Sequence, residues 1–262
     1  MANSRSVAVI TGASSGIGAV YADRFAARGF DLLLVARRED RLRDLAAKLE
    51  AQHGITVTTL KADLVNDRDI AAVEEALKDP RISVLVNNAG TAHMAPFTSG
   101  DAELHQSDIT LNITSLTRLS LAALKLFQTL HRGTLINIAS VLSLHARAGS
   151  AVYSGTKGYV LNFTRGLQEE VEGSNIHIQA VLPAATATEI WTLSGMPMET
   201  LPEGSIMTAE DMVDAALVGL DKGETISMPP LHDEQLWEAY EKARLALFGA
   251  SRTGIPAPRY TR

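Results

Sequence analysis

The sequence predicts an α/β protein: a single domain on a doubly wound parallel sheet with helices covering both faces. Three observations carry this. Short apolar runs alternate with amphipathic helical stretches nearly from end to end of the 262 residues. Those runs are almost wholly apolar or β-branched, as in strands covered on both faces. No Pro/Gly/Ser-rich linker and no internal repeat interrupts the alternation, so successive strands join through right-handed helical crossovers.

The first strand is placed at 7–10, followed by a glycine-rich turn and a helical pattern from Ala19. The second strand covers 32–36. Over 41–49, Leu42, Leu45, Ala46 and Leu49 recur at helical spacing. A third strand at 56–62 precedes a helix at 69–77, built on Ile70, Val73 and Leu77. After a fourth strand at 84–87 comes a long helical stretch, about 104–130, expected to break or bend. A fifth strand at 134–139, a helix at 152–171 and a sixth strand at 176–182 follow. Helices at 209–220 and 234–248, with a weaker strand at 225–228 between them, complete the pattern. The domain is expected to span 1–248, with a mobile substrate lid at about 184–207 and a C-terminal tail at 249–262.

Composition excludes several classes. With 46% hydrophobic and 21% charged residues the chain is too apolar to be disordered. Its 24 basic and 30 acidic residues give a net charge of −6, which offers no general attraction to nucleic acid or an anionic membrane. The absence of cysteine removes disulfides, thiolate nucleophiles and cysteine-based metal sites. No run approaches the roughly 20 apolar residues of a membrane span. A cytoplasmic protein without nucleic-acid or membrane partners is expected.

The first strand runs straight into Thr11-Gly12-Ala13-Ser14-Ser15-Gly16-Ile17-Gly18, at the opening of a helix. Glycines let the backbone approach a phosphate without a Cβ in the way, and a helix N-terminus offers free N–H groups and a positive dipole end. Ser14 and Ser15 add hydroxyls. In dinucleotide folds an acidic residue about 20 positions beyond such a loop binds the ribose 2′-hydroxyl of NAD. Here the second strand ends at Ala36 and is followed by Arg37 and Arg38, and guanidinium groups suit a 2′-phosphate, favouring NADP over NAD. Asp63 and Leu64 after the third strand, and Asn88, Ala89 and Gly90 after the fourth, sit at strand ends where the same ligand would lie.

Tyr153 and Lys157 are one helical turn apart, so both project from one face. A phenol with a pKa of about 10 is a poor acid–base group at neutral pH, and a cation beside it stabilises the phenolate. Ser140 ends the fifth strand, and Asn112 lies on the long helix before it.

These motifs, in this order from Val7 to the 180s, resemble the short-chain dehydrogenase/reductase superfamily in its branch of roughly 250 residues. The resemblance implies a Rossmann-type sheet of about seven parallel strands and a homodimer or homotetramer. It also implies roles. Tyr153 exchanges the proton with the substrate oxygen, Ser140 hydrogen-bonds that oxygen, Lys157 binds the nicotinamide ribose, and Asn112 supports a water-linked relay to the lysine. Ser143 is a rival for the serine role but lies three residues beyond Ser140. Past the sixth strand, Pro183, Thr186 and Thr188 match the family's cofactor-binding segment. Ala184 departs from it, standing where a glycine is usual; a positive φ there would strain an alanine.

Loops after strands four, five and six should wall the substrate pocket with His93, Met94, Phe97, Leu142, Leu144, His145, Trp191 and Met196. This largely apolar set, with no arginine or lysine placed to hold an anion, predicts a hydrophobic ketone, aldehyde or secondary alcohol as substrate. No metal site is expected, because no carboxylate–histidine helix motif accompanies the histidines. No G-x-S-x-G elbow marks a hydrolase. The apolar faces Leu116, Leu119, Ala122, Ala123 and Val160, Phe163, Leu167 are compatible with subunit pairing. The alternatives are an NAD-dependent alcohol dehydrogenase of the same fold and a non-catalytic dinucleotide-binding regulator.

Overall fold

The computed structural model describes residues 5–196 and 198–261; residues 1–4, Pro197 within the expected lid, and Arg262 lie outside the described residues. Seven strands, β1 Val7–Thr11, β2 Asp31–Ala36, β3 Val57–Lys61, β4 Ile82–Asn87, β5 Gly133–Ile138, β6 Ile176–Val181 and β7 Ile226–Ser227, form one sheet in the order 3-2-1-4-5-6-7. Every neighbouring pair is parallel. The strand order reverses between β1 and β4, the crevice where open α/β sheets bind ligands.

Alternate residues of each strand face opposite sides. Ala8, Ile10, Leu32 and Leu34 pack against Tyr21 and Phe25 of α1 (Gly16–Ala27) and Met212 and Val213 of α8 (Ala209–Asp221). Val7, Val9, Leu33 and Val35 pack on the other face with Ile70 of α3 (Asp67–Ala76) and Leu119 and Phe127 of α5 (Leu116–Leu130). Each fully buried Leu or Ile contributes about 1.5–3 kcal/mol relative to exposure. Two-sided burial therefore explains the unbroken apolar runs. β3 is the exception: Thr58 and Lys61 are exposed, because this strand is at the sheet edge and pairs only with β2.

The helical stretch expected at 104–130 divides into α4 (Ala102–Ile109), a π-helical turn at Thr110–Ser115, and α5. The expected bend is thus a widened turn, and Asn112 lies inside it. α2 (Glu39–His53), α6 (Ala151–Glu170) and the short α7 (Ile190–Ser194) complete the helices of this unit. The apolar faces considered for subunit pairing are partly taken up by the sheet. Leu116, Leu119, Ala123 and Val160 are buried, and Ala122, Phe163 and Leu167 pack against core clusters.

Packing divides the chain into Met1–Pro229 and Pro230–Arg262. α9 (Glu234–Ser251) therefore groups with the tail, whereas sequence patterning puts the boundary at 248. The helix buries none of its residues, and Leu247 and Phe248 are exposed. Among the described residues no helix is long and apolar enough to cross a membrane.

Candidate active site

Thr11 at the end of β1 braces the reversal point. Its hydroxyl accepts from the backbone N–H groups of Asn88 and Ala89, each at 3.0 Å, and donates to the Val86 carbonyl at 3.2 Å. The Asn88 amide donates to the Thr11 carbonyl at 2.9 Å. Gly12 and Gly16 have φ of +66° and +53°, a conformation that L side chains rarely adopt. A Cβ at Gly18 would lie 2.4 Å from the Gly12 carbonyl oxygen, so only glycine lets α1 approach the strand this closely.

A cavity of about 500 Å³ runs over the carboxyl ends of β1 to β6. Of the residues singled out from sequence for catalysis, cofactor or substrate, all line it except Gly18, Asn112, His93, Phe97, Leu144, His145 and Met196.

At one end lie the arginines. Arg37 is exposed and has no partner among the described residues. Arg38 donates to Ser14 Oγ at 3.0–3.1 Å and to Ser15 Oγ at 2.7 Å. It also pairs with Glu189 at 2.5 Å, which Arg41 shares at 2.6 Å. Hydrogen bonds from both guanidinium groups pull the Glu189 carboxyl down to about 2. Asp63 lines the same end.

At the other end stand the groups of acid–base character. Tyr153 and Ser140 line the cleft together, and the Ser140 hydroxyl favours the Tyr153 phenolate. Burial pushes the Tyr153 phenol up to about 12; Ser140 opposes this, and the negative charge of Asp108 adds to it. Lys157 is buried, and its Nζ donates to the Ile138 carbonyl at 2.8 Å with no second partner among the described residues. Nζ lies 5.8 Å from the centre of the Tyr153 ring. Desolvation lowers the ammonium to about 8. Ser140 Oγ accepts from the Leu142 N–H at 3.1 Å, whereas Ser143 Oγ donates to the Lys157 carbonyl at 2.9 Å. Of the two serines, only Ser140 lines the cleft.

Asn112 acts from behind the wall. Its amide donates to the Thr91 carbonyl at 2.9 Å and Thr156 Oγ1 at 3.1 Å, and its Oδ1 accepts from the Thr91 N–H at 3.0 Å. It ties the loop after β4 to α6. Both amide protons are spent there, leaving only spare acceptor capacity on Oδ1 for a relay.

The substrate end departs from expectation at five of the eight residues named for it. The His93 ring is bonded through Nδ1 to buried Asp108 at 2.7 Å and does not line the cleft; Asp108 also accepts from the His93 N–H. Leu144 packs into the β5–β6 core, and His145 is exposed. Phe97 is exposed and stacks on His105, and Met196 is likewise absent from the wall. Met94, Leu142 and Trp191 do line it, together with Ile190, Leu201 and Arg147. Arg147 corrects the expectation of an arginine-free pocket; its guanidinium has no partner among the described residues. Ala184 is not strained, since His131 is the only non-glycine with positive φ among the described residues.

Segment 188–206 is an excursion closed at its base. Ala187 donates to the Met207 carbonyl and Met207 to that of Ala185, each at 2.9 Å. Met94 N–H bonds the Ser194 carbonyl at 3.0 Å, tying the excursion to the loop after β4. Sequence reasoning missed Glu189, Arg147 and Asp108. Asp108 alone carried a local signal, lying one helical turn before Asn112.

A sequence model of the family described as short chain dehydrogenase matches residues 6–196. The chain belongs to that family. It is 34% identical over 191 residues to very-long-chain 3-oxoacyl-CoA reductase-A of Danio rerio, covering 70% of this chain but only 59% of the relative. The structure of a short-chain dehydrogenase from Sphingobium yanoikuyae in complex with NADPH is similar at 47% identity and a TM-score of 0.94, over 98% of this chain and 100% of that one. A bulky-bulky ketone specific alcohol dehydrogenase from Comamonas testosteroni is similar at 38% identity and a TM-score of 0.90, over 98% and 99% of the two chains.

Proposed function

We propose that this protein is an NADP(H)-dependent oxidoreductase interconverting a hydrophobic ketone or aldehyde with its alcohol. The observation that carries the reading is Tyr153 and Ser140 together on the wall of the cleft, with the Lys157 ammonium 5.8 Å from the centre of the phenol ring. The residues present fit the cofactor. The buried Lys157 ammonium has donors left for ribose hydroxyls, and Gly12 and Gly16 open the backbone toward a pyrophosphate. Unpartnered Arg37 beside Arg38, with no acidic residue ending β2, supports the phosphorylated form. So does the NADPH bound by the Sphingobium relative.

When bound, the nicotinamide supplies or accepts hydride at the substrate carbon. The protein handles the proton. At neutral pH a phenol pushed up to about 12 is fully protonated, ready to donate to a carbonyl oxygen that gains negative charge. Ser140 holds the same oxygen and stabilises that charge. Lys157, positively charged below about 8, favours the phenolate left behind. Asn112 and Thr11 position the loop after β4. Met94, Leu142 and Trp191 give the substrate end its apolar character. The relative specific for bulky ketones supports a bulky hydrophobic carbonyl compound. We assign assembly as a homodimer or homotetramer on the family resemblance; sedimentation as a monomer would remove that part.

The test is a panel of aromatic and aliphatic ketones with NADPH and NADH in parallel, following the reduced nicotinamide. Wild type should turn over with NADPH, and Tyr153→Phe should lose about 10²–10⁴-fold in rate. Normal turnover by Tyr153→Phe overturns the acid–base assignment.

A further inference from the structure

The excursion after β6 reaches back to the arginine end of the cleft. Glu189 Oε2 accepts from Arg38 at 2.5 Å, and Oε1 from Arg41 at 2.6 Å. Arg38 Nε and Nη2 donate to Ser14 and Ser15 of the glycine loop. One residue earlier, the Thr188 methyl lies 2.9 Å from where a Cβ on Gly16 would stand. Thr188 and Glu189 are thus docked together over the glycine loop. Trp191, two residues farther on, walls the cleft and donates its Nε1–H to the Thr186 carbonyl at 2.8 Å.

We propose that Glu189 is an internal stand-in for the 2′-phosphate of NADP(H), occupying Arg38 and Arg41 until the cofactor displaces it and frees the segment bearing Trp191. This rests on the NADP(H) reading above. A carboxylate and a phosphate ester satisfy the same guanidinium fork, so both cannot hold the same Arg38 donor at once. The pairs are nearly half exposed, so they are readily exchanged rather than locked. The phosphate brings more negative charge than the carboxylate and wins the competition. A ligand without the 2′-phosphate has nothing to set against Glu189 and leaves the latch closed. Glu189 is therefore a specificity-determining residue: it lowers affinity for the phosphorylated cofactor while making lid release conditional on it.

The test uses calorimetry with adenosine 2′,5′-bisphosphate and adenosine 5′-monophosphate on wild type, Glu189→Gln and Glu189→Ala. Both variants should bind the bisphosphate about two- to fivefold more tightly than wild type, within the range an exposed ion pair supplies, with the monophosphate unchanged. In a Trp237→Phe background, the bisphosphate should shift Trp191 emission and the monophosphate should not. Unchanged or weaker bisphosphate binding by the variants overturns the proposal, as does an equal emission response to the two ligands. If wild type binds both ligands equally, the NADP(H) reading itself falls. That outcome is separate from a wild type that discriminates while Glu189 variants do not improve.

Discussion

The two ends of one cleft use charge in opposite ways. Around Tyr153 the ionisable groups are enclosed: Lys157 is buried with a single hydrogen-bond partner, and Asp108 is fully buried under His93. Around Arg38 they stand in solvent, paired through Glu189. Burial moves proton affinity, to about 12 for Tyr153 and about 8 for Lys157. Exposed pairing moves little free energy but is readily exchanged. Proton transfer needs the first arrangement, and reversible capture of a charged ligand needs the second.

The largest effects should come from the enclosed end. Lys157→Met should lower turnover by about 10³-fold, because the phenolate loses its nearby cation. The same variant reports burial through stability. The Lys157 pKa is depressed in the folded state, so the unfolded chain binds more protons between about pH 8 and 10.5. Wild-type stability from this group therefore rises with pH, by on the order of 2 kcal/mol between pH 7 and 9.5. Urea unfolding at the two pH values should show this rise in wild type relative to Lys157→Met. A flat difference would place the ammonium in water and erase the contrast between the two ends.

Ser140→Ala should cost about 10²-fold in turnover, as loss of an oxyanion donor does. Ser143→Ala should leave turnover within about threefold and cost only about 1 kcal/mol of stability, since its hydroxyl is spent on the Lys157 carbonyl. Steady-state rates of the two variants, side by side, decide between them. Equal losses would mean that the serine role is shared.

How much of this was legible in the sequence follows from how local each cause is. Strands buried on both faces must be apolar throughout, so six of them were legible to within about two residues at either end. β3 was placed as closely, at 56–62, but the cover on both faces expected of it is absent because an edge strand needs none. The Tyr153–Lys157 pair was readable because one helical turn is a local relation. The π turn at Thr110–Ser115 showed only as a break, since Asn112 gives no local sign of bonding Thr91 and Thr156. The apolar faces of α5 and α6 could not be apportioned until the sheet claimed them. Glu189 was invisible for the opposite reason to Tyr153. It meets Arg38 across 151 residues, and nothing near either residue announces the other.

At the exposed end the effects should be smaller. Arg37→Ala should weaken NADPH binding by about tenfold, because a charge-assisted bond to a phosphate is worth about 1.5 kcal/mol or more, and should leave NADH within twofold. Fluorescence titration of the reduced nicotinamide with both cofactors checks it. Equal losses for NADPH and NADH would mean that Arg37 supports the cleft generally rather than reading a 2′-phosphate.

The smallest effect is the most diagnostic of exposure. The Glu189 carboxyl is lowered to about 2 by Arg41 and Arg38, so the unfolded state holds more protons as pH falls below 4.5. The stability this group contributes is present above pH 4.5 and lost as pH falls toward 2. Nearly half of the side chain is in solvent, so screening holds the contribution below about 1 kcal/mol. Urea midpoints of wild type and Glu189→Gln should differ slightly at pH 6, converge at pH 2.5, and converge at pH 6 in 1 M salt as well. The Lys157 difference, measured in the same salt, should persist, because a buried charge is shielded from mobile ions while an exposed pair is not. If salt abolished both differences equally, burial would not be what separates the two ends of the cleft.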